Sequence, residues 1–162
     1  MNKILTLSIL IFLSFLNFGN SLELKAQDKT EYEKNLNIAS ELYLEKKKIP
    51  ESILIKLVPE NDSEFGAYYA TTGPDHKMGE TDFFYETTRL IFEKVTSEKI
   101  PQFYLPSLNL ASYADGEYAK EFSEYLELII NSDKEKFCNS FSRIKHKNRN
   151  PIKYYSELNK CE

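Results

Sequence analysis

The spacing of the apolar residues is the feature that most constrains the fold of this chain. Between residues 29 and 47, Tyr32, Leu36, Ala39 and Tyr43 follow one another at steps of three and four. Such steps place side chains on one face of an α-helix. Similar stripes recur further along the chain, one through Phe84 and Phe92 and another through Phe122 and Leu126. The 5 glycines and 6 prolines fall mostly between these stripes. The spacing therefore predicts an all-α fold.

Six to seven helices in antiparallel pairs account for these stripes, as an irregular bundle or as a short HEAT-like stack. For residues 50–58, a strand is an alternative to a helix. Pro106 is expected to divide the helical segment that begins at Pro101. The sequence from Ser132 to Glu135 predicts a capping box at the start of a helix. The predicted helical segments are 29–47, 50–58, 62–69, 81–97, 115–131, 132–147 and 151–160, with a further stretch that begins at Pro101.

The amino-terminal segment has the composition of a secretory signal peptide. Lys3 precedes an apolar run over residues 4–16, and small polar residues follow it. The run is short for a membrane span, and small residues favour cleavage after Ser21 or, alternatively, after Ala26. We therefore predict a signal peptide over residues 1–21 and a single helical domain over residues 22–162. The protein is expected in the bacterial periplasm or outside the cell, with no stable membrane anchor after cleavage.

The two cysteines, Cys138 and Cys161, lie in the last quarter of the chain. In an oxidising compartment an even number of cysteines favours a disulfide. Each lies ten to twelve residues from the predicted turn at 148–150, so the two would be level in an antiparallel hairpin that rises about 1.5 Å per residue. We therefore predict a carboxy-terminal helical hairpin closed by this disulfide.

Few residues have the spacing of a catalytic or metal site. The loop at 73–79 and the start of the next helix combine one imidazole with several carboxylates, which is the chemistry of a small periplasmic hydrolase or a metal-binding enzyme. The candidates for this alternative function are Asp75, His76, Glu80, Asp82 and Glu86. No EF-hand, HExxH or GxSxG spacing accompanies them. His146 has basic neighbours, which favour a solvated helix end.

Binding to another protein is therefore the expected function, of the inhibitor or immunity type, with no cofactor, no metal and no catalysis. The net charge of −4 disfavours nucleic acid as a partner. Exposed tyrosine suits recognition, and adjacent tyrosines on a helix cannot both face one core. A basic stretch adds a docking surface for an acidic partner. The candidate interaction residues are Tyr68, Tyr69, Tyr154, Tyr155, Arg143, Lys145 and Lys147.

Overall fold

A computed structural model describes residues 30–161 of the chain, apart from the side chain at position 117. The predicted signal peptide and both cleavage points lie outside this range. Within it the secondary structure is entirely helical, with eight α-helices and no strand, which confirms the all-α prediction. The helices are α1 (Glu31–Leu44), α2 (Glu51–Leu54), α3 (Asp62–Tyr69), α4 (Phe83–Thr96), α5 (Tyr104–Ala111), α6 (Ala119–Ser132), α7 (Lys134–Phe141) and α8 (Ile152–Asn159).

Short 3₁₀ segments extend several of these helices, at Ile55–Leu57, Ala70–Thr72, Pro101–Phe103 and Gly116–Tyr118. The first of them continues α2, so residues 51–57 are helical and the strand alternative is wrong. Helix lengths vary from 4 to 14 residues, which makes the arrangement an irregular bundle. No helix between residues 30 and 161 combines the length and the apolar character needed to cross a bilayer.

The core forms around α4 and α6, the two helices with the clearest apolar stripes. Phe84 and Phe92 on α4 are buried, and so are Phe122 and Leu126 on α6. The rings of Phe92 and Phe122 meet edge to face, with their centroids 5.6 Å apart. Edge-to-face pairs stabilise a core beyond their burial alone, by roughly 0.5–1.5 kcal/mol. These side chains were placed on buried faces by the sequence pattern, and the structure confirms that placement.

Several predicted helix boundaries are wrong. The side chain of Asp133 caps α7 by accepting a hydrogen bond from the Lys136 amide, whereas the Ser132 hydroxyl donates to the Ile129 carbonyl. The predicted capping box is therefore absent at Ser132, because a carboxylate one residue later takes its place. Pro106 does not divide its segment but lies in the first turn of α5, where no intrahelical bond needs its amide. The side chain of Asn61 caps α3 by accepting a hydrogen bond from the Glu64 amide.

Three helices end at a lysine in the left-handed conformation rather than at a glycine or in open coil. After α1, Lys46 has φ of 55°, its amide donates to the Tyr43 carbonyl, and the Lys47 amide donates to the Leu42 carbonyl. This pair of bonds is the Schellman motif, in which the first residue past the helix takes left-handed angles. Lys160 repeats it after α8 with φ of 56°, and Lys99 has φ of 59° after α4.

Candidate functional site

The carboxy-terminal hairpin, residues 134–161, carries most of the predicted interaction residues. Helices α7 and α8 pack together, and a disulfide joins Cys138 to Cys161 with their Cα atoms 4.7 Å apart. The stapled hairpin is therefore confirmed. The amide of Cys161 donates to the Ser156 carbonyl within the Schellman motif at Lys160, which turns the cysteine back towards its own helix. The end of α8 is held both by its backbone and by a covalent bond.

The segment between α7 and α8, residues 142–151, does not continue α7 to residue 147 as predicted. Tertiary contacts hold it in turns instead. Ile144 is buried, and the Lys145 amide donates to the side-chain oxygen of Asn109. The Arg149 guanidinium makes two hydrogen bonds, of 2.9 and 3.0 Å, to the carboxylate of Asp62. A continuous helix would break these contacts, so the turn fastens the hairpin to α3 and α5.

His146 lies within this fastened turn and not at a solvated helix end, so that interpretation is wrong. Its Nε2 atom is 2.9 Å from the Tyr113 hydroxyl, and the two rings meet edge to face at 4.9 Å. The sequence contains no signal for this contact, because Tyr113 lies 33 positions away. The neighbouring basic residues favoured a solvated position instead.

One face of α8 is exposed to solvent. Tyr154 and Leu158, which we call the hairpin face, lie one helical turn apart and are 55% and 60% exposed. Ile152 and Ser156 lie on the opposite side of the helix and are buried. Tyr155 packs against the core, and its hydroxyl donates to the Glu127 carboxylate on α6. Burial and that hydrogen bond raise the pKa of Tyr155 above its usual range.

The charge of the hairpin differs from that of the whole chain. Residues 142–161 contain six Lys or Arg side chains and one acidic side chain, Glu157, although the chain has a net charge of −4. Lys145 pairs with Glu60 at 3.0 Å. Arg143 is exposed, and the Lys147 ammonium lies 5.5 Å from the ring centroid of Phe141. Neither Arg143 nor Lys147 forms an ion pair with any residue from 30 to 161. Unpaired positive charge therefore lies on the same hairpin as the exposed apolar side chains.

The other predicted tyrosines lie inside the fold. Tyr68 is fully buried, and its hydroxyl makes hydrogen bonds with Thr87 and Thr88 on α4. Burial raises the pKa of Tyr68 to about 12. Tyr69 is half-buried, with its ring 5.5 Å from that of Phe84. These two tyrosines stabilise the packing of α3 on α4, and Tyr68 is inaccessible to a partner.

The residues of the alternative enzyme site are not brought together as a metal site. Asp75, Glu80 and Asp82 are exposed, whereas the Nδ1 atom of His76 accepts a hydrogen bond of 3.1 Å from the Met78 amide. Burial and the nearby Lys77 lower the pKa of His76. Within the part of the chain that the structure describes, no three His, Cys, Asp or Glu side chains converge as metal ligands would. Glu86 lies beside Tyr43 of α1 instead, where burial and this carboxylate raise the pKa of Tyr43 to about 12.

A groove that the sequence did not predict lies at the end of α1, beside α4, and encloses about 660 Å³. We call it the α1–α4 groove. Its walls come from three separate parts of the chain, so local periodicity could not reveal it. Glu86, a candidate residue of the alternative enzyme site, is among the lining residues. The groove is lined by Tyr43, Leu44, Lys46, Lys47, Lys48, Ile49, Leu54, Thr81, Glu86, Leu90, Lys94 and Glu98.

Comparison of the chain with protein-family models, with curated proteins and with solved structures finds no match. The hairpin and the groove are therefore the features of this protein that bear on its function.

Proposed function

We propose that this protein is an exported, non-catalytic module that binds an acidic partner protein, as an inhibitor or immunity-type protein does. The periplasm or the extracellular space is the proposed compartment, since disulfides such as Cys138–Cys161 persist mainly in oxidising environments. The observation that carries the proposal is the hairpin face. Two large apolar side chains, Tyr154 and Leu158, are exposed one turn apart on a helix that is fixed at both ends.

Rigid presentation favours binding because little conformational freedom remains to be lost. The disulfide holds the end of α8, and the pair of Arg149 with Asp62 holds the turn before it. Ordering a flexible side chain at an interface costs roughly 0.5–1.5 kcal/mol, and a preorganised helix avoids much of the additional backbone cost. Tyrosine combines apolar area with a polar tip, and it is enriched among the residues that dominate binding energy.

The unpaired basic side chains of the hairpin favour an acidic partner. Arg143 and Lys147 form no ion pairs within the described residues, so their charges remain available to a ligand. Complementary charges speed association and exclude partners of like charge. The negative charge of the remaining chain repels nucleic acid, so an acidic protein surface is the proposed target.

Site-specific photo-crosslinking tests the proposal directly. A benzophenone amino acid is introduced at Tyr154 or, as a matched control, at Ile38, which is 44% exposed on α1. The protein is produced in its own cells and irradiated. We expect one discrete crosslinked product from position 154 and none from position 38. The same pattern of products from both positions, or no product from position 154, would overturn the proposal.

A second variant distinguishes specific docking from non-specific hydrophobic association. Leu158→Ser removes the neighbouring apolar side chain without disturbing the buried side of α8. We expect the crosslink at position 154 to fall at least about fivefold, since an apolar side chain of this size contributes roughly 1 kcal/mol or more when buried. Ile38→Ser should leave the crosslink unchanged.

A further inference from the structure

The α1–α4 groove is independent of the hairpin face, and its floor is aliphatic. Ile49 and Leu54 are buried beneath it, Leu90 is half-buried along one wall, and Leu44 is 49% exposed at its edge. The volume of about 660 Å³ falls within the range of small-molecule sites, roughly 300–1,000 Å³. An exposed leucine beside a preformed apolar floor is unfavourable in water, so covering this groove releases free energy.

Three lysines at the end of α1 supply positive charge to the groove. Lys46, Lys47 and Lys48 are consecutive and exposed, and the Schellman motif at the end of α1 fixes their backbone. Lys47 pairs with Glu45 at 2.8 Å, whereas Lys46 and Lys48 form no ion pair with any residue from 30 to 161. Two ammonium groups at this end are therefore available to an anion.

Two of the remaining charged side chains of the groove, Lys94 and Glu98, pair with each other. Lys94 has a side chain only 7% exposed, and its Nζ lies 3.0 Å from the Glu51 carboxylate and 2.6 Å from that of Glu98. The hydrogen bond to Glu98 and the nearby Glu51 raise the pKa of Lys94, which keeps the amine protonated and unsuited to act as a nucleophile. Burial and the nearby Glu86 carboxylate raise the pKa of Tyr43 to about 12. The ion pairs of Lys94 hold α4 to α2 and leave the lysine run at the end of α1 as the anion-binding group.

We propose that the α1–α4 groove binds a single-chain amphiphile with one anionic headgroup, of the long-chain carboxylate class. The headgroup binds Lys46 and Lys48, and the aliphatic chain covers Leu44 and lies along Leu54 and Leu90. A chain of methylene groups needs no hydrogen bonds. A peptide would bring amide groups that the aliphatic floor cannot satisfy, which would cost roughly 1–3 kcal/mol for each one buried.

Calorimetric titration of the purified, disulfide-bonded protein with dodecanoate, below its micelle-forming concentration, tests this inference. Dodecanol serves as the uncharged control and acetate as the control without a chain. We expect saturable binding of dodecanoate, at least about tenfold weaker binding of dodecanol because the charge-assisted contacts are lost, and no binding of acetate. Amide resonances of Ile49 and Leu90 should shift on addition of dodecanoate.

Two double variants locate the headgroup. Lys46→Gly with Lys48→Ser removes both available charges, and glycine suits the left-handed angles at position 46. We expect it to weaken dodecanoate binding about tenfold or more. Lys120→Ser with Lys134→Ser removes two exposed lysines elsewhere and should have no effect.

Three outcomes would overturn the inference. They are no saturable binding of dodecanoate, equal binding of dodecanol and dodecanoate, and binding to phosphatidylglycerol vesicles with none to the monomeric carboxylate. None of these results bears on the hairpin face, which is tested by crosslinking at Tyr154.

Discussion

Removing the disulfide between Cys138 and Cys161 is expected to lower the free energy of unfolding by about 3 kcal/mol. The perturbation is the double substitution Cys138→Ser and Cys161→Ser, which changes little else. Both side chains are only half-buried, so the loss of apolar burial adds less than about 1 kcal/mol. The main effect lies in the unfolded chain, which gains the freedom that the crosslink removes.

The magnitude follows from the length of the closed loop. The cysteines are separated by 23 positions. Loop-closure entropy for a ring of this size amounts to about 11 cal/mol/K, or about 3.4 kcal/mol at 25 °C. The native contacts of the turn, such as Arg149 with Asp62 and Tyr113 with His146, remain in the variant. The hairpin should therefore still fold, but with less stability.

Urea denaturation followed by far-ultraviolet circular dichroism measures the change. With a slope of about 2 kcal/mol/M, the midpoint should fall by about 1.5 M urea. The wild-type protein measured with dithiothreitol should match the double variant, because both lack the crosslink. A loss of stability below about 1 kcal/mol with an unchanged slope would refute the reasoning, since loop closure alone predicts three times as much.

Three further outcomes are expected. Lys160→Gly and Lys46→Gly should each raise the free energy of unfolding by about 1 kcal/mol in the same assay, because glycine takes left-handed angles without strain; lower stability would contradict the Schellman assignment. Tyr104→Phe should leave the free energy of unfolding unchanged or raise it, since the buried Tyr104 hydroxyl has no hydrogen-bond partner among the described residues. A decrease in that free energy of more than about 1 kcal/mol would contradict this and indicate a hydrogen-bond partner. Arg149 holds the pKa of Asp62 below its ordinary value. The stabilisation from this pair is therefore present at neutral pH and is lost as the pH falls below about 4 and through the lowered pKa of the folded state. An NMR titration should show the Asp62 carboxyl titrating below its normal range, and Arg149→Met should return the pKa of Asp62 to that range.

The sequence by itself determined the helical class, the buried faces of α4 and α6, and the pairing of Cys138 with Cys161. These features follow from local rules. The 3.6-residue period places Phe84 and Phe92 on one side of a helix whatever surrounds them, and the rise of a helix makes two cysteines level across a hairpin.

Only the tertiary structure decided where α7 ends, what His146 contacts and where a groove forms. Asn109 binds the Lys145 amide across 36 positions of sequence, and Asp62 binds Arg149 across 87. A helix over residues 142–147 would exclude these contacts. Helix propensity contributes only a few tenths of a kcal/mol per residue. The burial and hydrogen bonds that the turn makes possible contribute more, so the turn is the more stable structure. The groove has the same origin, since its walls are separate segments that meet only when the chain is packed.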